Sequence, residues 1–495
     1  MKRVVTEQLM PNWLQKRASL SPDRTAIEIG KRAVTFGQLY DQSIDYAARL
    51  YSKGVRPFHR VGILQQNSLN LVTALHALMQ TGVEIVFYNI RLSPLELAYQ
   101  FSDAHIDWLI TEEEFLNTVV ESGFDGEKTI IFNDLFSTQP SSAFVPVEVF
   151  NLEHTATIMY TSGTSGHPKG VMQTYGNHWW SAVGSMLNLR LHEGDKWLCA
   201  VPLFHISGLS ILMRSIIYGM TVQIHPHFDE KIVNKAIKEE GITIMSMVAN
   251  MLNRMVADLG EDGQYPPSFR CALLGGGPAP YSILEACKTK KIPVYQTYGM
   301  TETASQIVTL SPEHSLEKLG SAGKALFPCS LKIVADGKEL QPMETGEILL
   351  QGPNVTKGYL NREQETESAF SDGWLHTGDL GYVDEEGFLF VVDRRSDLII
   401  SGGENVYPAE VESALMRHEH IFEAGVTGAP DDKWGQVPIA FIVTNNKEIT
   451  EQDVKVFCKD CLASYKVPKE VYFVESLPRN ASNKLLRREL LKFRK

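Results

Sequence analysis

Hydrophobic and polar positions along the chain alternate between short apolar runs and longer segments with helical periodicity. The runs at 61–65, 83–88 and 108–111 predict buried strands, and the segment 68–80 predicts a helix between the first two. Gly82 follows that segment and is typical of a helix end in the left-handed conformation. A strand, a helix and a further strand in this order indicate a parallel sheet covered by helices.

The same order recurs in the middle of the chain. Apolar runs predict strands at 196–200, 221–224 and 242–246, and periodic segments predict helices at 208–218 and 230–240. Strands that are buried on both faces read as such continuous apolar runs. We therefore predict an α/β fold of mostly parallel sheets covered by helices.

The pattern changes after about Gly320. Shorter β-rich pieces occupy 331–334, 346–351 and 388–392, and the final part of the chain mixes helices with strands. The pattern predicts a β-rich subdomain from about 320 to 395 and a small α+β unit at the end of the chain. The boundary near Arg395, which gives an N-terminal domain over 1–395 and a C-terminal domain over 396–495, rests on the motif resemblance described below.

Composition excludes several classes of protein. The chain has 495 residues, of which 43% are hydrophobic, which predicts a packed core rather than disorder. A net charge of −12 argues against a general nucleic-acid binder, because phosphate contacts need a basic face. Cys458 and Cys461 are predicted to be reduced thiols. The absence of a signal peptide and of a long apolar run predicts a cytoplasmic protein with no membrane span.

The stretch 160–170 is rich in glycine and hydroxyl residues and follows an apolar strand. Glycines let backbone N–H groups approach a phosphate, hydroxyls add donors, and Lys169 adds a mobile charge. This is not a Walker A loop, because Gly170 follows the lysine. We predict a phosphate-binding loop, and the alternative is a flexible surface loop. Its candidate residues are Thr161, Ser162, Gly163, Thr164, Ser165, Gly166 and Lys169.

Two further segments follow predicted strands, where ligands bind in open α/β sheets. Gly275-Gly276-Gly277-Pro278 would admit a flat ligand against bare backbone, although a tight turn fits as well. The segment 297–303 offers an aromatic face, hydroxyls and a carboxylate, which suit a base, phosphates and Mg²⁺. A capped helix start is the alternative there.

Two further candidate binding features, an acidic segment and an arginine, lie after Trp374. Thr377-Gly378-Asp379 places an acid in a predicted turn, and a carboxylate can accept both hydroxyls of a ribose. Arg394 follows fifteen residues later and could meet a phosphate. A surface ion pair is the alternative interpretation of this pair.

Together, these stretches resemble the adenylate-forming superfamily of acyl-CoA ligases, firefly-type luciferases and peptide-synthetase adenylation domains. The resemblance spans about residues 10–490 and includes a hinge motif at 393–405 and a lysine motif at 478–484. Ser165 replaces a commoner threonine and keeps the hydroxyl. Five motifs in the family's order make the resemblance specific.

The resemblance implies a two-step reaction. A carboxylate attacks the α-phosphorus of ATP, with Mg²⁺ bound, and gives an acyl-adenylate and diphosphate. The C-terminal domain then rotates about the hinge, and a thiol, usually that of coenzyme A, displaces AMP.

The motifs also imply residue roles. Lys484 would bridge the substrate carboxylate and the α-phosphate, Lys169 would follow the diphosphate end, and Glu302 would hold Mg²⁺. Asp379 would bind the ribose, and Tyr298 would stack on adenine. The remaining implied residues are Thr301 and His205 in catalysis; Gly276, Gly277, Pro278, Gly299, Met300 and Arg394 around the nucleotide; His205, Ser207, Gly208, Gly275 and Gly276 around the acyl group; and Ser396, Gly402 and Gly403 at the hinge and coenzyme A.

Within the superfamily the chain most resembles the o-succinylbenzoate–CoA ligases of menaquinone biosynthesis, through segments 201–209, 273–280, 303–310 and 477–486. The implied substrate is an aromatic keto-dicarboxylate. A benzoate-type or medium-chain acyl-CoA ligase, a carrier-loading adenylation domain and a luciferase-like oxygenase stay open. A non-catalytic nucleotide-binding relative is disfavoured because the motif lysine and both carboxylates are present.

Overall fold

The computed structural model describes residues 8–92, 94–161, 168–276, 281–394, 399–401, 404–406, 408–431, 434–445, 448–462, 464–480 and 483–494. The side chains of 393, 394, 400, 404, 405, 410 and 461 are outside the described set. The helices are α1 (Trp13–Leu20), α2 (Phe36–Ser52), α3 (Leu69–Thr81), α4 (Pro94–Ala104), α5 (Leu116–Glu121), α6 (Tyr175–Leu189), α7 (Ile206–Tyr218), α8 (Glu230–Glu239), α9 (Ala249–Leu259), α10 (Tyr281–Thr289), α11 (Glu363–Ala369), α12 (Pro408–Leu415), α13 (Glu451–Cys461) and α14 (Arg487–Leu490).

The strands of the first two-thirds of the chain are β1 (Leu9–Pro11), β2 (Thr25–Ile29), β3 (Arg32–Thr35), β4 (Arg60–Leu64), β5 (Glu84–Phe87), β6 (Trp108–Thr111), β7 (Thr129–Ile131), β8 (Val149–Asn151), β9 (Thr155–Thr161), β10 (Lys169–Thr174), β11 (Lys196–Cys199), β12 (Thr221–Ile224), β13 (Ile244–Val248), β14 (Cys271–Gly275), β15 (Val294–Met300) and β16 (Ser305–Leu310). The later strands are β17 (Ser321–Ala325), β18 (Ser330–Ala335), β19 (Lys338–Glu339), β20 (Gly346–Gln351), β21 (Phe370–Ser371), β22 (Trp374–Val383), β23 (Leu389–Arg394), β24 (Ile399–Ser401), β25 (Glu404–Val406), β26 (Ile421–Asp431), β27 (Gly435–Thr444) and β28 (Glu470–Phe473).

The first large sheet has the order β10-β9-β5-β4-β6-β7 and is parallel except for the β9–β10 pair. It confirms the predicted succession of strand, helix and strand. The side chain of Ser68 caps α3 by accepting a hydrogen bond from Leu71 N, and Gly82 ends the helix at φ +73°. Apolar side chains on both faces bury this sheet between its helices.

The second large sheet contains fifteen strands and changes character along its width. Strands β2, β12, β11, β13, β14 and β15 are parallel neighbours, whereas β16 and the strands beyond it pair antiparallel. The predicted β-rich subdomain is therefore continuous with the parallel part. Strand β17 makes the connection, because it pairs with both β16 and β23.

The C-terminal part forms its own five-stranded sheet, with order β25-β24-β27-β26 and β28 beside β27. Buried side chains of α12 and α13 pack with this sheet in a separate apolar cluster. The predicted α+β character is confirmed. The predicted boundary at Arg395 lies in 395–398, outside the described residues.

Two local predictions were wrong. The strand predicted to end at Gln296 continues to Met300, because β16 pairs with it to the end. Asp379 lies within β22 rather than in a turn, because β20 and β23 pair with that strand on both sides. The local signal of Gly378 remains as an irregularity within the strand, because Gly378 has φ +69° and the β20–β22 register shifts there.

Across the described ranges, none of the helices has the length and apolar character needed to cross a bilayer.

Candidate active site

The glycine- and hydroxyl-rich loop is carried by a β-hairpin. Thr161 ends β9 and pairs with Lys169, the first residue of β10. Ser162, Gly163, Thr164, Ser165 and Gly166 lie outside the described residues. The Nζ atom of Lys169 lies 5.1 Å from the centroid of the Tyr359 ring, within cation–π range.

Glu302 lies in a single 3₁₀ turn, Thr301–Thr303, between β15 and β16. Its Oε1 atom accepts a 3.1 Å hydrogen bond from the Tyr359 hydroxyl. Its backbone carbonyl accepts a 2.7 Å bond from Thr356 N, and the Thr301 carbonyl accepts one of 3.0 Å from Gln173 Nε2. Lys169, the predicted phosphate ligand, and Glu302, the predicted metal ligand, therefore both contact Tyr359. This tyrosine was not identified from the sequence.

Tyr298 and Asp379 are brought together although 81 residues separate them. The Tyr298 hydroxyl donates a 2.8 Å hydrogen bond to Asp379 Oδ2, and the aspartate is only 6% exposed. In the β22–β23 register, Asp379 is paired with Arg394, whose side chain is outside the described set. The predicted ribose and adenine contacts thus form one cluster.

The glycine loop after β14 lies beside β15. A Cβ on Gly275 would come within 3.2 Å of Thr297 Oγ1, and Gly276 has φ +84°. Gly299 also approaches backbone closely, because its Cβ would be 2.1 Å from Ser305 O. Gly277 and Pro278 lie outside the described residues. The described glycines leave bare backbone where a flat ligand could lie.

His205 occupies the N-cap position of α7, and its carbonyl accepts hydrogen bonds of 2.9 Å from Gly208 N and Leu209 N. Burial, together with a smaller effect of the nearby charge of Arg91, lowers the pKa of its imidazole to about 4. The ring is therefore neutral at pH 7. Ser207 is exposed in the first turn.

The segment before α7 is anchored by Asn67. Its Nδ2 donates to Val201 O at 2.9 Å, and its Oδ1 accepts from Leu203 N at 2.8 Å. The neighbouring residue Ser68, and not Asn67, caps α3. The buried asparagine connects the end of β4 to the segment 201–203, which precedes α7.

Arg214 is a feature that the site prediction missed. It lies on α7, is 1% exposed, and its Nη2 atom is 3.3 Å from Ser305 Oγ. Its Nε atom has no hydrogen-bond partner in the described part of the chain. Burial is the leading cause that lowers its pKa. The sequence feature that could have identified Arg214 is its positive charge within the apolar stretch 206–224.

The residues around Arg214 connect α7 to the segment that follows Glu302. Ser210 Oγ also lies 3.3 Å from Ser305 Oγ, and Ser305 comes three residues after Glu302. None of the carboxylates in the described ranges forms an ion pair with Arg214. A buried cation without a carboxylate partner is costly, and an anionic ligand would compensate for it.

Lys484 is exposed on the C-terminal part, and its backbone is fixed locally. Its N–H donates to Asn480 Oδ1 at 2.8 Å, and its carbonyl accepts from Asn480 N at 2.9 Å. Arg487 forms an ion pair of 2.7 Å with Glu412 of α12. Ser396, Gly402 and Gly403 of the predicted hinge lie outside the described residues.

The donor set fits Mg²⁺ that is bound together with a nucleotide. Magnesium in nucleotide sites commonly takes one or two protein carboxylates and completes its shell with phosphate oxygens and water. Glu302 supplies one carboxylate beside the strand that carries Lys169.

Comparison with known proteins gives two family matches. The AMP-binding enzyme family matches residues 14–360, and its C-terminal domain family matches residues 410–484. The chain is 55% identical over 482 residues to 2-succinylbenzoate–CoA ligase of Geobacillus kaustophilus, with 97% of each chain covered.

Solved structures of o-succinylbenzoate–CoA synthetase from Bacillus subtilis are also similar. The complex with ATP and magnesium has a TM-score of 0.92 at 49% identity and covers 98% of this chain and 100% of that one. The complex with the acyl-adenylate has a TM-score of 0.91 at 48% identity and covers 98% of both chains. A double mutant bound to a coenzyme A product analogue has a TM-score of 0.77 at 49% identity, covering 98% of this chain and 99% of that one.

Proposed function

The chain belongs to the AMP-binding enzyme family, and from that premise we propose that it is an ATP-dependent 2-succinylbenzoate–CoA ligase. The observation that carries the proposal is the 55% identity to such a ligase over 97% of both chains. The reaction converts 2-succinylbenzoate, ATP and coenzyme A to succinylbenzoyl-CoA, AMP and diphosphate. This is a step of menaquinone biosynthesis.

In the first half-reaction, a carboxylate oxygen attacks the α-phosphorus of ATP, the bond to the β-phosphate oxygen breaks, and diphosphate leaves. Such transfer depends on positioning and on neutralising charge. Lys169 would neutralise the leaving diphosphate, and Lys484 would orient the attacking carboxylate. Glu302 would hold Mg²⁺, which supplies positive charge to the phosphate oxygens when it is bound.

The adenosine half of ATP would be held by the Tyr298–Asp379 pair. The aspartate accepts the tyrosine hydroxyl through Oδ2, which orients the carboxylate. A carboxylate has about four acceptor sites, and this one would also accept hydrogen bonds from the ribose hydroxyls. The tyrosine ring would lie against adenine.

In the second half-reaction, the thiol sulfur attacks the acyl carbon and AMP leaves. The difference in TM-score between the nucleotide complexes and the product-analogue complex of the Bacillus subtilis enzyme supports a rearrangement between the two steps. We propose division of this chain into domains 1–395 and 396–495 that alternate in this way. The hinge at Ser396 and the role of Gly402 and Gly403 stay predictions.

The acyl pocket needs a partner for the second carboxylate of the substrate, because only one carboxylate is activated. We propose that Arg214 is this partner, with Ser305 and Ser210 beside it. Its burial and the absence of an ion pair with any described carboxylate support the proposal. His205 and the backbone at Gly208 and Gly275 would line the same pocket.

The test compares 2-succinylbenzoate with benzoate and octanoate in assays of AMP and acyl-CoA formation. We expect kcat/KM to be at least ~10²-fold lower for the acids that lack the second carboxylate, because they leave a buried polar group unpaired. Equal or better use of benzoate or octanoate would favour a benzoate-type or medium-chain ligase. A cytoplasmic location stays a prediction.

A matched pair of arginine variants sharpens this test. Arg214→Gln should remove most of the preference for the dicarboxylate and leave turnover of benzoate little changed. Arg17→Gln is the control, because Arg17 also bonds to α7 but only through the carbonyls of Ile216 and Ile217. A retained preference in Arg214→Gln would exclude Arg214 as the carboxylate partner.

A further inference from the structure

Tyr359 contacts two groups of the nucleotide site from one side chain. We propose that Tyr359 is a positioning residue that orients the Glu302 carboxylate through its hydroxyl and the Lys169 ammonium through its ring. The inference rests on the proposed function and deepens it. It assigns one residue to both the metal side and the phosphate side of the site.

The hydroxyl is placed as a hydrogen-bond donor. It lies 3.1 Å from Glu302 Oε1, and the side chain is half-buried. A phenolic hydroxyl can donate a hydrogen bond, and an ionised carboxylate can only accept one. A carboxylate that accepts a hydrogen bond on one oxygen has its plane fixed and presents its other lone pairs in a defined direction.

The ring is placed as a surface for the ammonium. Lys169 Nζ lies 5.1 Å from the ring centroid, within the range of an attractive cation–π contact. Lysine has four rotatable side-chain bonds and loses considerable rotamer freedom when it is fixed. A flat aromatic face would limit the volume that the ammonium explores before the nucleotide binds.

The backbone around Tyr359 is itself held against both partners. Tyr359 forms a β-bridge with Val171 of β10, and Leu360 N donates to Gly170 O at 2.8 Å. Thr356 N donates to Glu302 O at 2.7 Å. The segment 356–360 therefore joins the strand that carries Lys169 to the turn that carries Glu302.

Tyr359→Phe removes the hydroxyl and keeps the ring. We expect the Kd of Mn²⁺, measured by electron paramagnetic resonance with a non-hydrolysable ATP analogue present, to rise about tenfold. The Kd of the analogue without metal should stay within about twofold, because the ring remains beside Lys169. These readouts are independent of turnover.

Tyr359→Leu removes the ring as well. We expect the Kd of the analogue without metal to rise about three- to tenfold more than in Tyr359→Phe, since Lys169 loses its aromatic contact. Tyr265→Phe is the matched control. Tyr265 is also half-buried, and its hydroxyl donates at 2.5 Å to Asn234 Oδ1, away from this site.

A double-variant cycle separates positioning from general destabilisation. In a Glu302→Gln background, Tyr359→Phe should have no further effect on the Kd of Mn²⁺. An equal effect in both backgrounds, or an unchanged Kd in Tyr359→Phe alone, would overturn the proposal. Failure of the proposed function would look different, since wild-type protein would then form no adenylate from 2-succinylbenzoate.

Discussion

Asp379 is held by the strand that carries it and by hydrogen bonds that include one from the Tyr298 hydroxyl. Its carboxylate accepts the Tyr298 hydroxyl at 2.8 Å and is almost fully buried. A charged acceptor in such a place contributes more to ligand binding than an exposed one, because water competes less for it. We therefore expect this one carboxylate to contribute strongly to the affinity for the nucleotide.

Asp379→Ala is expected to raise the KM for ATP about tenfold or more, the scale of one hydrogen bond to a charged group. The interaction is with the ribose, remote from the reacting phosphorus, so much of the effect should appear as binding. Steady-state kinetics with varied ATP measure it. Tyr298→Phe should show a smaller increase. An unchanged ATP dependence would mean that Asp379 is only a residue of β22.

At the scale of elements, the start of α7 depends on a close backbone approach. A Cβ on Gly208 would lie 2.3 Å from Pro202 O and 2.7 Å from Pro202 C, which no side-chain rotation can relieve. Backbone at 202–203 would have to move, and with it the segment that Asn67 anchors. The helix start is thus coupled to the proposed acyl pocket.

Gly208→Ala should lower the free energy of unfolding by roughly 1–3 kcal/mol, the usual cost of overpacking. Urea unfolding followed by circular dichroism measures it. Gly126→Ala is the control, because nothing lies within 4 Å of a Cβ built there. Equal stability of the two variants would contradict the close approach at α7.

Buried histidines on α3 and α6 link stability to pH. Burial lowers the pKa of His76 to about 3 and is the leading cause that lowers the pKa of His178 to about 3. The ordinary pKa of about 6.5 applies in the unfolded chain, which therefore binds more protons below that pH. The stability contribution is complete above pH 6.5 and is lost as pH falls toward 3.

The free energy of unfolding should fall between pH 6.5 and pH 4.5 by up to about 1.4 kcal/mol per pH unit for each such histidine. His178→Asn should reduce this slope by about that amount, and His154→Asn, at an exposed position, should not. Urea titrations at several pH values measure the slopes. Identical slopes in all three proteins would mean that His178 is charged in the folded state.

At the scale of the whole molecule, the lysine motif follows the last strand of the C-terminal sheet, whereas the nucleotide motifs lie on or beside the two large sheets. The segment around Lys484 is fixed to its own part of the chain by the Arg487–Glu412 ion pair and by Asn480. A rotation of the C-terminal part would therefore carry the lysine with it as a unit. Such a rotation allows one site to serve two half-reactions.

Lys484→Ala should lower the rate of adenylate formation by about 10²–10³-fold, the scale of one pre-organised charge contact. The conversion of supplied acyl-adenylate to acyl-CoA should stay close to wild type. Single-turnover assays of each half-reaction measure the two rates. Lys492→Ala, on the same C-terminal part and bonded to Glu489, serves as the control. Equal loss in both half-reactions would exclude domain alternation.

The sequence by itself determined the element types and the order of the motifs. Periodicity predicted α3 and its end at Gly82, because these signals lie within one or two helical turns. Residue chemistry identified Lys169, Glu302 and Asp379 as candidates, because phosphate, metal and ribose each need particular side chains. Local signals of this kind are encoded in neighbouring residues.

Only the tertiary structure decided which of these residues share a partner. The Tyr359–Glu302 bond joins positions 57 residues apart, and the Arg214–Ser305 contact joins positions 91 residues apart. Sheet order decides such pairings, and no local pattern encodes which strands will be neighbours. The extension of β15 and the placement of Asp379 in β22 have the same physical reason. Pairing with distant strands continues β15 and β22 through positions where the local pattern predicted that a strand would end or a turn would form.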